Sequence, residues 1–151
     1  MFRITFCCFL FMCSAYSEKP MLKLPFSAGQ IWSITVGYGG SDYHQNDDFY
    51  ALDFNLPGDS DLGQPILAAA SGEIFYAGWM NGYGWTVIID HGYGYKTRYA
   101  HLNLAPTVSG RILQGQEIGK CGSSGGTSTG PHLHFETREN DRRLDPIPRL
   151  E

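Results

Sequence analysis

Two histidines near the end of the chain lie two positions apart, in the run Gly-Pro-His-Leu-His-Phe-Glu of residues 130–136. Alternate residues of a β-strand point to the same face. A strand here would therefore project His132 and His134 together and turn Leu133 and Phe135 into a core. The proline and the loop rich in glycine, serine and threonine before the run favour a strand over a helix. Two imidazoles on one face suit a metal site or acid–base chemistry, although strands also carry such pairs by chance.

Three other residues have the chemistry to complete such a site. A catalytic zinc ion needs three protein ligands drawn from histidine, aspartate and glutamate, with one position left for water. His44 and Asp53 flank the start of one predicted strand, and His134 lies on another. His101 and His132 then remain as a second pair of histidines, which suits proton transfer near neutral pH.

These residues depend on a series of short strands for their positions. Apolar or alternating runs separated by glycine-rich and proline-rich turns predict strands, and no stretch has a sustained helical period. The predicted strands cover residues 32–36, 50–54, 65–70, 73–77, 85–90, 95–102, 115–121 and 132–136. The period of two places Tyr95, Thr97, Tyr99 and His101 on one face. Tyr99 is thus the best aromatic candidate for lining a groove, with core packing as the alternative.

Length and composition agree with one small β-domain. The chain has 151 residues, of which 42% are hydrophobic, enough for one domain with a real core. Its net charge is −4, and its lysines and arginines form no cluster beyond Arg142-Arg143. Binding to nucleic acid through a basic surface is therefore not expected. The predicted fold class is all-β, a compact and mostly antiparallel sheet.

Residues 1–17 have the pattern of a signal peptide, with an early arginine, an apolar run and then small residues. An uncleaved anchor and a lipid-modified Cys13 are the alternatives. Cleavage would leave residues 18–151 as a single domain with its core at about 25–145. It would also leave Cys121 without a cysteine partner, which excludes an intramolecular disulfide. We expect export to the periplasm, the cell wall or the medium, without stable membrane insertion after cleavage.

Three ordered segments carry the polar residues: Tyr-Ala-Leu-Asp-Phe at 50–54 behind His44, Tyr-Ala-His-Leu at 99–102, and Ser-Thr-Gly-Pro-His-Leu-His-Phe-Glu at 128–136. Together they resemble the signature motifs of the lysostaphin-type (LytM-like) zinc metallopeptidases, a family of peptidoglycan endopeptidases. The segments 64–74 and 119–125 resemble the family's connecting regions, so the likeness covers nearly the whole chain after residue 25. Three motifs in order are far more specific than one histidine pair.

The resemblance implies a role for each residue. One Zn²⁺ per chain would be bound by His44, Asp53 and His134, with His101 and His132 as the catalytic pair that does not bind metal. The implied fold is a compact antiparallel β-domain with a substrate groove. The implied activity is hydrolysis of peptide cross-links in bacterial peptidoglycan, with the peptidoglycan peptide as substrate and a regulatory protein as a further partner.

The sequence departs from the family pattern between the first two ligands. In many members the first histidine and the aspartate lie four positions apart, whereas His44 and Asp53 lie nine apart. Four-residue spacing would select Asp48. We expect Asp53 to be the ligand, because it lies on a predicted strand that can aim it, whereas Asp48 lies in a loop.

A second class of function uses the same fold without catalysis. Such a domain would bind cell wall or activate another wall hydrolase, and we would expect it to lack ligands or catalytic histidines. A small carbohydrate-binding β-barrel would leave the five polar residues unexplained. Of the remaining residues, we expect His91, Asp48 and Asp59 to Asp61 at the surface and Cys121 in the core. Glu136 fits either a support for the metal site or the surface.

Overall fold

The computed structural model describes residues 19–40 and 44–151, so the predicted signal peptide of residues 1–17 lies outside the described residues. Over these ranges the chain forms ten strands and three single-turn 3₁₀ helices, and the predicted all-β, mostly antiparallel fold is confirmed. No helix in the described ranges is both long and apolar enough to cross a membrane. The strands are β1 (Ser33–Val36), β2 (Leu52–Asn55), β3 (Pro65–Leu67), β4 (Gly72–Met80), β5 (Gly84–Asp90), β6 (Tyr95–Leu102), β7 (Arg111–Ile112), β8 (Glu117–Lys120), β9 (Leu133–Glu139) and β10 (Arg142–Leu144).

Most strands belong to one antiparallel sheet. Among the described residues its order is β1-β2-β9-β6-β5-β4-β7, and β10 pairs with the far end of β9. Strands β3 and β8 form a separate antiparallel pair. Strand β9, which carries His134 and begins directly after His132, therefore lies inside the large sheet between β2 and β6, where neighbours on both sides fix its register.

One face of β9 belongs to the core. Leu133 and Phe135 are fully buried. Leu133 lies opposite Phe54 of β2, while Phe135 lies opposite Leu52 of β2 and Tyr99 of β6. Each fully buried apolar side chain of this size contributes about 1.5–3 kcal/mol. Because side chains alternate along a strand, this packing turns the polar residues of β9 to the other face.

The predicted face of β6 is wrong at His101. Tyr99 lies opposite Val87 of β5, but the next pair is Leu102 with Trp85, so β6 has two residues where β5 has one. This extra residue is a β-bulge, which bends a strand and re-aims its side chains. His101 has a φ of +60°, in the left-handed region. The bulge interrupts the alternation, so His101 leaves the face of Tyr99 and its ring lies near those of His132 and His134.

Tyr99 is a core residue and does not line a groove. It is fully buried, and its ring packs edge-on against Phe135 with the ring centroids 5.4 Å apart. Its hydroxyl accepts a hydrogen bond from the backbone N–H of Ala69 at 2.8 Å. Packing, the alternative open at the level of sequence, is therefore its role.

Candidate active site

Asp53 and His134 meet because β2 and β9 are neighbours in register. The two residues lie directly opposite each other, and such residues share one face of a sheet. Asp53 Oδ1 and His134 Nδ1 are 3.0 Å apart, and both residues are buried. The sheet thus places side by side two groups that are 81 positions apart in the sequence.

His44 reaches the same carboxylate from the loop before β2. Its Nε2 lies 3.2 Å from Asp53 Oδ1, and its ring is almost fully buried. Its Nδ1 lies 3.0 Å from the carbonyl oxygen of Gly37, so the Nδ1–H donates there and Nε2 is left to act as a ligand. The short helix Asn46–Asp48 takes up the extra residues between His44 and Asp53. The long spacing therefore does not prevent the two side chains from meeting.

The three side chains fit a zinc ion. One ligand atom from each of His44, Asp53 and His134 lies within 4.8 Å of the others. Tetrahedral zinc with bonds of about 2.0–2.2 Å requires neighbouring ligand atoms about 3.3 Å apart. The separations of 3.0 Å and 3.2 Å to Asp53 Oδ1 are close to that value. Two imidazole nitrogens and a carboxylate are also ligands that catalytic zinc sites use.

A second group of possible ligands is less suited to a metal. Asp48, His134 and Glu136 also lie within ligand distance of one another. However, the Tyr83 hydroxyl donates to Asp48 Oδ1 at 2.5 Å, and Arg98 donates to Glu136 Oε1 at 2.7 Å. Carboxylates that are already bonded to a hydroxyl and a guanidinium compete poorly for a cation. Asp48 therefore lies beside the site, in contact with Tyr83, and is not a simple solvated charge.

Glu136 supports the site. It is buried, and its Oε1 lies 3.0 Å from His134 Nε2, so of the two alternatives open from the sequence the surface position is wrong. Arg98 and Arg138 bond its two oxygens at 2.7 Å and 3.1 Å. With Nε2–H donating to Glu136, His134 turns Nδ1 towards Asp53, where this nitrogen donates a proton when the ring is charged and offers a lone pair to a cation when the ring is neutral. Such a partner fixes the tautomer and the ring orientation of a metal-binding histidine.

His101 and His132 lie next to this group, with their ring centroids 4.7 Å apart. His101 Nδ1 is 2.7 Å from the carbonyl oxygen of Ser124, and His132 Nδ1 is 2.8 Å from that of Gly130. Both Nδ1–H groups therefore donate to the backbone, which leaves each Nε2 able to exchange a proton. His132 Nε2 also lies 3.7 Å from Asp53 Oδ2, so one carboxylate faces three imidazoles.

The pKa shifts in this group of residues keep Asp53 negative and favour a positive charge beside its carboxylate. Burial raises the pKa of Asp53, but the imidazoles of His134 and His44 in contact with its carboxylate outweigh burial and hold this pKa well below its usual range. Burial lowers the pKa of His134, whereas its hydrogen bonds to Asp53 and Glu136 raise it, and the result is about 9. Burial and the neighbouring His134 and His132 lower the pKa of His101 to about 4. The ionised Asp53 thus favours positive charge on its neighbour His134, and the same carboxylate would attract a metal cation.

These residues line a cavity of about 390 Å³ at the surface, which we call the cleft. Its walls are formed by Val36, His44, Asp48, Asp53, Asn81, Gly82, Tyr83, His101, Thr127, Thr129, His132 and His134. Thr127 and Thr129 belong to the loop rich in glycine, serine and threonine that precedes the histidine pair. Tyr83 was not expected in the site. Its signal in the sequence is the Asn-Gly-Tyr-Gly turn of residues 81–84, which reads only as a hairpin until β6 is placed beside it.

Two other predicted surface residues are in fact packed. Asp61 is fully buried, and Asn55 Nδ2 donates to its Oδ2 at 3.1 Å. His91 is partly buried, and its two ring nitrogens lie 2.8 Å from the carbonyl oxygen of Ser71 and 2.8 Å from Thr97 Oγ1. Neither residue lines the cleft. Cys121 is buried and free, as expected for a small core residue.

The antiparallel fold and the polar cluster resemble those of the lysostaphin type. Comparison with known proteins places the chain in a family. Peptidase family M23 matches residues 50–146, which is more than half of the chain. The chain belongs to this family, and the predicted lysostaphin-type resemblance is confirmed.

The names of the relatives describe two kinds of protein, peptidases and activators of wall hydrolases. The chain is 44% identical over 85 residues to the DD-carboxypeptidase/endopeptidase Mpg of Neisseria meningitidis serogroup B, a match that covers 56% of this chain and 20% of Mpg. It is 36% identical over 89 residues to the murein hydrolase activator EnvC of Escherichia coli, covering 58% of this chain and 21% of EnvC. The matched region is thus about a fifth of the length of these relatives.

Solved structures share the fold. A zinc-containing peptidase from Vibrio cholerae superposes with a TM-score of 0.68 at 27% identity, over 86% of this chain and 40% of that one. The antimicrobial peptidase lysostaphin from Staphylococcus simulans superposes with a TM-score of 0.63 at 33% identity, over 78% of this chain and 48% of that one. In both cases the structural similarity extends over more than three quarters of this chain.

Proposed function

We propose that this protein is a zinc-dependent metalloendopeptidase that hydrolyses peptide cross-links of bacterial peptidoglycan. One observation carries the proposal: Asp53 lies within 3.7 Å of His44, His132 and His134, and the ring of His101 packs against that of His132. Three residues with the geometry of zinc ligands thus stand beside two histidines able to move protons. The names of Mpg, of lysostaphin and of the Vibrio peptidase support the reaction and the metal.

His44, Asp53 and His134 would hold the ion, and Glu136 would keep His134 in the tautomer that offers Nδ1. Zn²⁺ bound there would supply a water of lowered pKa and polarise the scissile carbonyl. Amide hydrolysis also needs a base for the attacking water and an acid for the leaving nitrogen. His101 and His132 serve these tasks, because their Nδ1–H groups are held by backbone carbonyls and their Nε2 atoms are left for proton transfer.

The alternative is a non-catalytic domain that activates another wall hydrolase, a role that the name of the relative EnvC suggests. The five polar residues argue for catalysis, because a purely binding domain has no need of two proton-transfer groups beside a metal site. For location, we propose export by the segment of residues 1–17, with a regulatory protein as a further partner.

Digestion of purified sacculi tests the activity. The protein is incubated with the sacculi in zinc, with and without a chelator, and released fragments are identified by mass. We expect peptide fragments with new amino termini, no release in chelator, and recovery when zinc is added back. A His91→Gln variant, altered at a histidine outside the cleft, should behave as the unmodified protein. No release from protein that binds zinc stoichiometrically would favour the activator role.

A further inference from the structure

The turn between β4 and β5 presses against the candidate active site. In this turn, the Tyr83 carbonyl oxygen accepts a hydrogen bond from the backbone N–H of His101 at 2.9 Å. The ring of Tyr83 lies edge-on to that of His134, with centroids 5.5 Å apart, and the Arg98 guanidinium lies 4.4 Å from the centre of the Tyr83 ring. Tyr83 thus packs its ring against the proposed ligand His134 and holds the backbone of the proposed catalytic residue His101.

The turn is a rigid base for this side chain. Thr127 Oγ1 donates to the Gly82 carbonyl at 3.0 Å, and Ser124 Oγ accepts from the Trp85 N–H at 2.9 Å. Gly125 has a φ of +92°, and a Cβ at this position would lie 2.3 Å from the Gly82 oxygen. Two backbones therefore meet directly, and the position of Tyr83 is fixed by the turn and by the loop of residues 122–130.

The loop that carries His44 is anchored differently. Hydrogen bonds within it run from the Asp48 N–H to the Gln45 carbonyl at 3.0 Å and from the Ala51 N–H to the Asp48 carbonyl at 2.8 Å. On the side of the cleft, the Asp48 carboxylate accepts the Tyr83 hydroxyl at 2.5 Å, a contact across 35 positions of sequence. This contact joins the loop with the long His44–Asp53 spacing to the rigid turn.

We propose that Tyr83 is a positioning residue that acts through Asp48 to hold the His44 loop, and so the His44 imidazole, against Asp53. The inference rests on the proposed metal site. It gives a physical reason why a loop with five more residues than the four-residue spacing can still deliver His44 to the ion. The contacts of Tyr83 continue through Arg98 to Glu136 and so to His134, so one network reaches the supports of two ligands.

Zinc affinity in a short set of variants tests the role. Tyr83→Phe removes only the hydroxyl, Asp48→Ala removes the acceptor, and Asp48→Asn keeps an oxygen that can accept. Competition with a chromophoric chelator gives the dissociation constant for zinc. We expect Tyr83→Phe and Asp48→Ala each to weaken binding by about tenfold, the lower end of the range for partners outside the ligand shell. Asp48→Asn should recover most of the loss, and Tyr93→Phe, at an exposed tyrosine of another hairpin, should change nothing.

The double variant decides whether the two groups act as a pair. Residues in direct contact give non-additive effects, so Tyr83→Phe with Asp48→Ala should bind zinc no more weakly than either single variant. Additive losses, or unchanged affinity in Tyr83→Phe, would overturn the inference.

A measurement without metal separates this inference from the proposed function. In metal-free protein, Tyr83→Phe should speed hydrogen exchange at the Ala51 amide, which closes the His44 loop, but not at the Val87 amide in β5. Failure of the unmodified protein to bind zinc would contradict the proposed function alone. An unchanged exchange rate at the Ala51 amide would contradict the proposal that Tyr83 fixes the loop, whether or not the protein binds zinc.

Discussion

Two settings of buried histidine in this molecule differ in the charge of their partners. His91 lies at the end of β5 between the Ser71 carbonyl and the Thr97 hydroxyl, both at 2.8 Å, and burial lowers its pKa. His134 lies between the carboxylates of Asp53 and Glu136, both at 3.0 Å, and its pKa rises to about 9 despite burial. Neutral partners accommodate an uncharged imidazole, whereas carboxylates hold positive charge in place.

The difference shows which buried polar groups point to function. A buried histidine with hydroxyl and carbonyl partners is explained by packing and hydrogen bonding alone. Three imidazoles around one carboxylate are not, because the same stability is reached at lower cost with apolar side chains. Convergence on Asp53, more than burial, therefore marks the candidate site.

The largest effect should come from the residue at the centre of the comparison. Asp53→Ala removes the carboxylate that faces three imidazoles, and with it one of three proposed zinc ligands. We expect this variant to lose zinc during gel filtration and to lose all detectable hydrolysis of sacculi. Metal content by atomic absorption gives the result. Retention of one zinc per chain would contradict the ligand set.

Variants of the proton-transfer pair should separate chemistry from metal binding. His101→Ala and His132→Ala each remove a group worth about 10²–10⁴-fold in rate. Zinc content should stay at one per chain in both, because neither residue belongs to the proposed ligand set. The measurement is the rate of peptide release together with metal content. Loss of zinc in both variants would refute the division between ligands and catalytic histidines.

Glu136→Gln sharpens the role of charge beside His134. The amide keeps the shape of the side chain but loses the negative charge that holds the Nε2–H. We expect zinc affinity to fall by about 10–100-fold, as for other partners outside the ligand shell. Chelator competition measures the change. Thr137, the next residue along β9, is buried on the other face, so an unchanged affinity in Thr137→Val is the matched control.

The smallest effect concerns His91 and the dependence of stability on pH. Because its folded pKa lies below the usual value, the unfolded chain binds a proton first as the pH falls from 7 towards 5. Stability should therefore fall with pH in this window, by at most about 1.4 kcal/mol per pH unit for one proton. His91→Gln should reduce that slope when denaturant unfolding is compared at pH 7 and pH 5. An equal slope in both proteins would show that His91 titrates as in the unfolded chain.

The sequence predicts eight of the ten strands found in the described residues, all but the short β7 and β10, and the proximity of His132 and His134, because the period of two is a local property. Asp53 is also predictable, since a carboxylate inside an apolar strand needs a reason to be there. The face of His101 is not predictable from the period, because a bulge depends on the pairing of β6 with β5. Local sequence gave no sign of that extra residue.

Burial of acids and the contacts of Tyr83 depend on tertiary structure in the same way. Glu136 is buried only because Arg98, on the neighbouring strand, lies opposite it in the register. Asp61 and Asp48 lie in loops, and their partners Asn55 and Tyr83 are found only once the chain is folded. From sequence alone, a polar residue in a loop is therefore predicted to be solvated even when the folded chain buries it.

The direct contact of backbones at Gly125 and Gly82 limits how the shape of the cleft can change. A methyl group at residue 125 would push the hairpin away from the loop and shift both the Tyr83 side chain and the Tyr83 carbonyl, which accepts from the His101 N–H. The width of the cleft at this point is thus tied to the positions of Tyr83 and His101. Thr129 lies on the same wall but outside this contact, so a side chain of another size there would change the shape of the cleft without moving the turn.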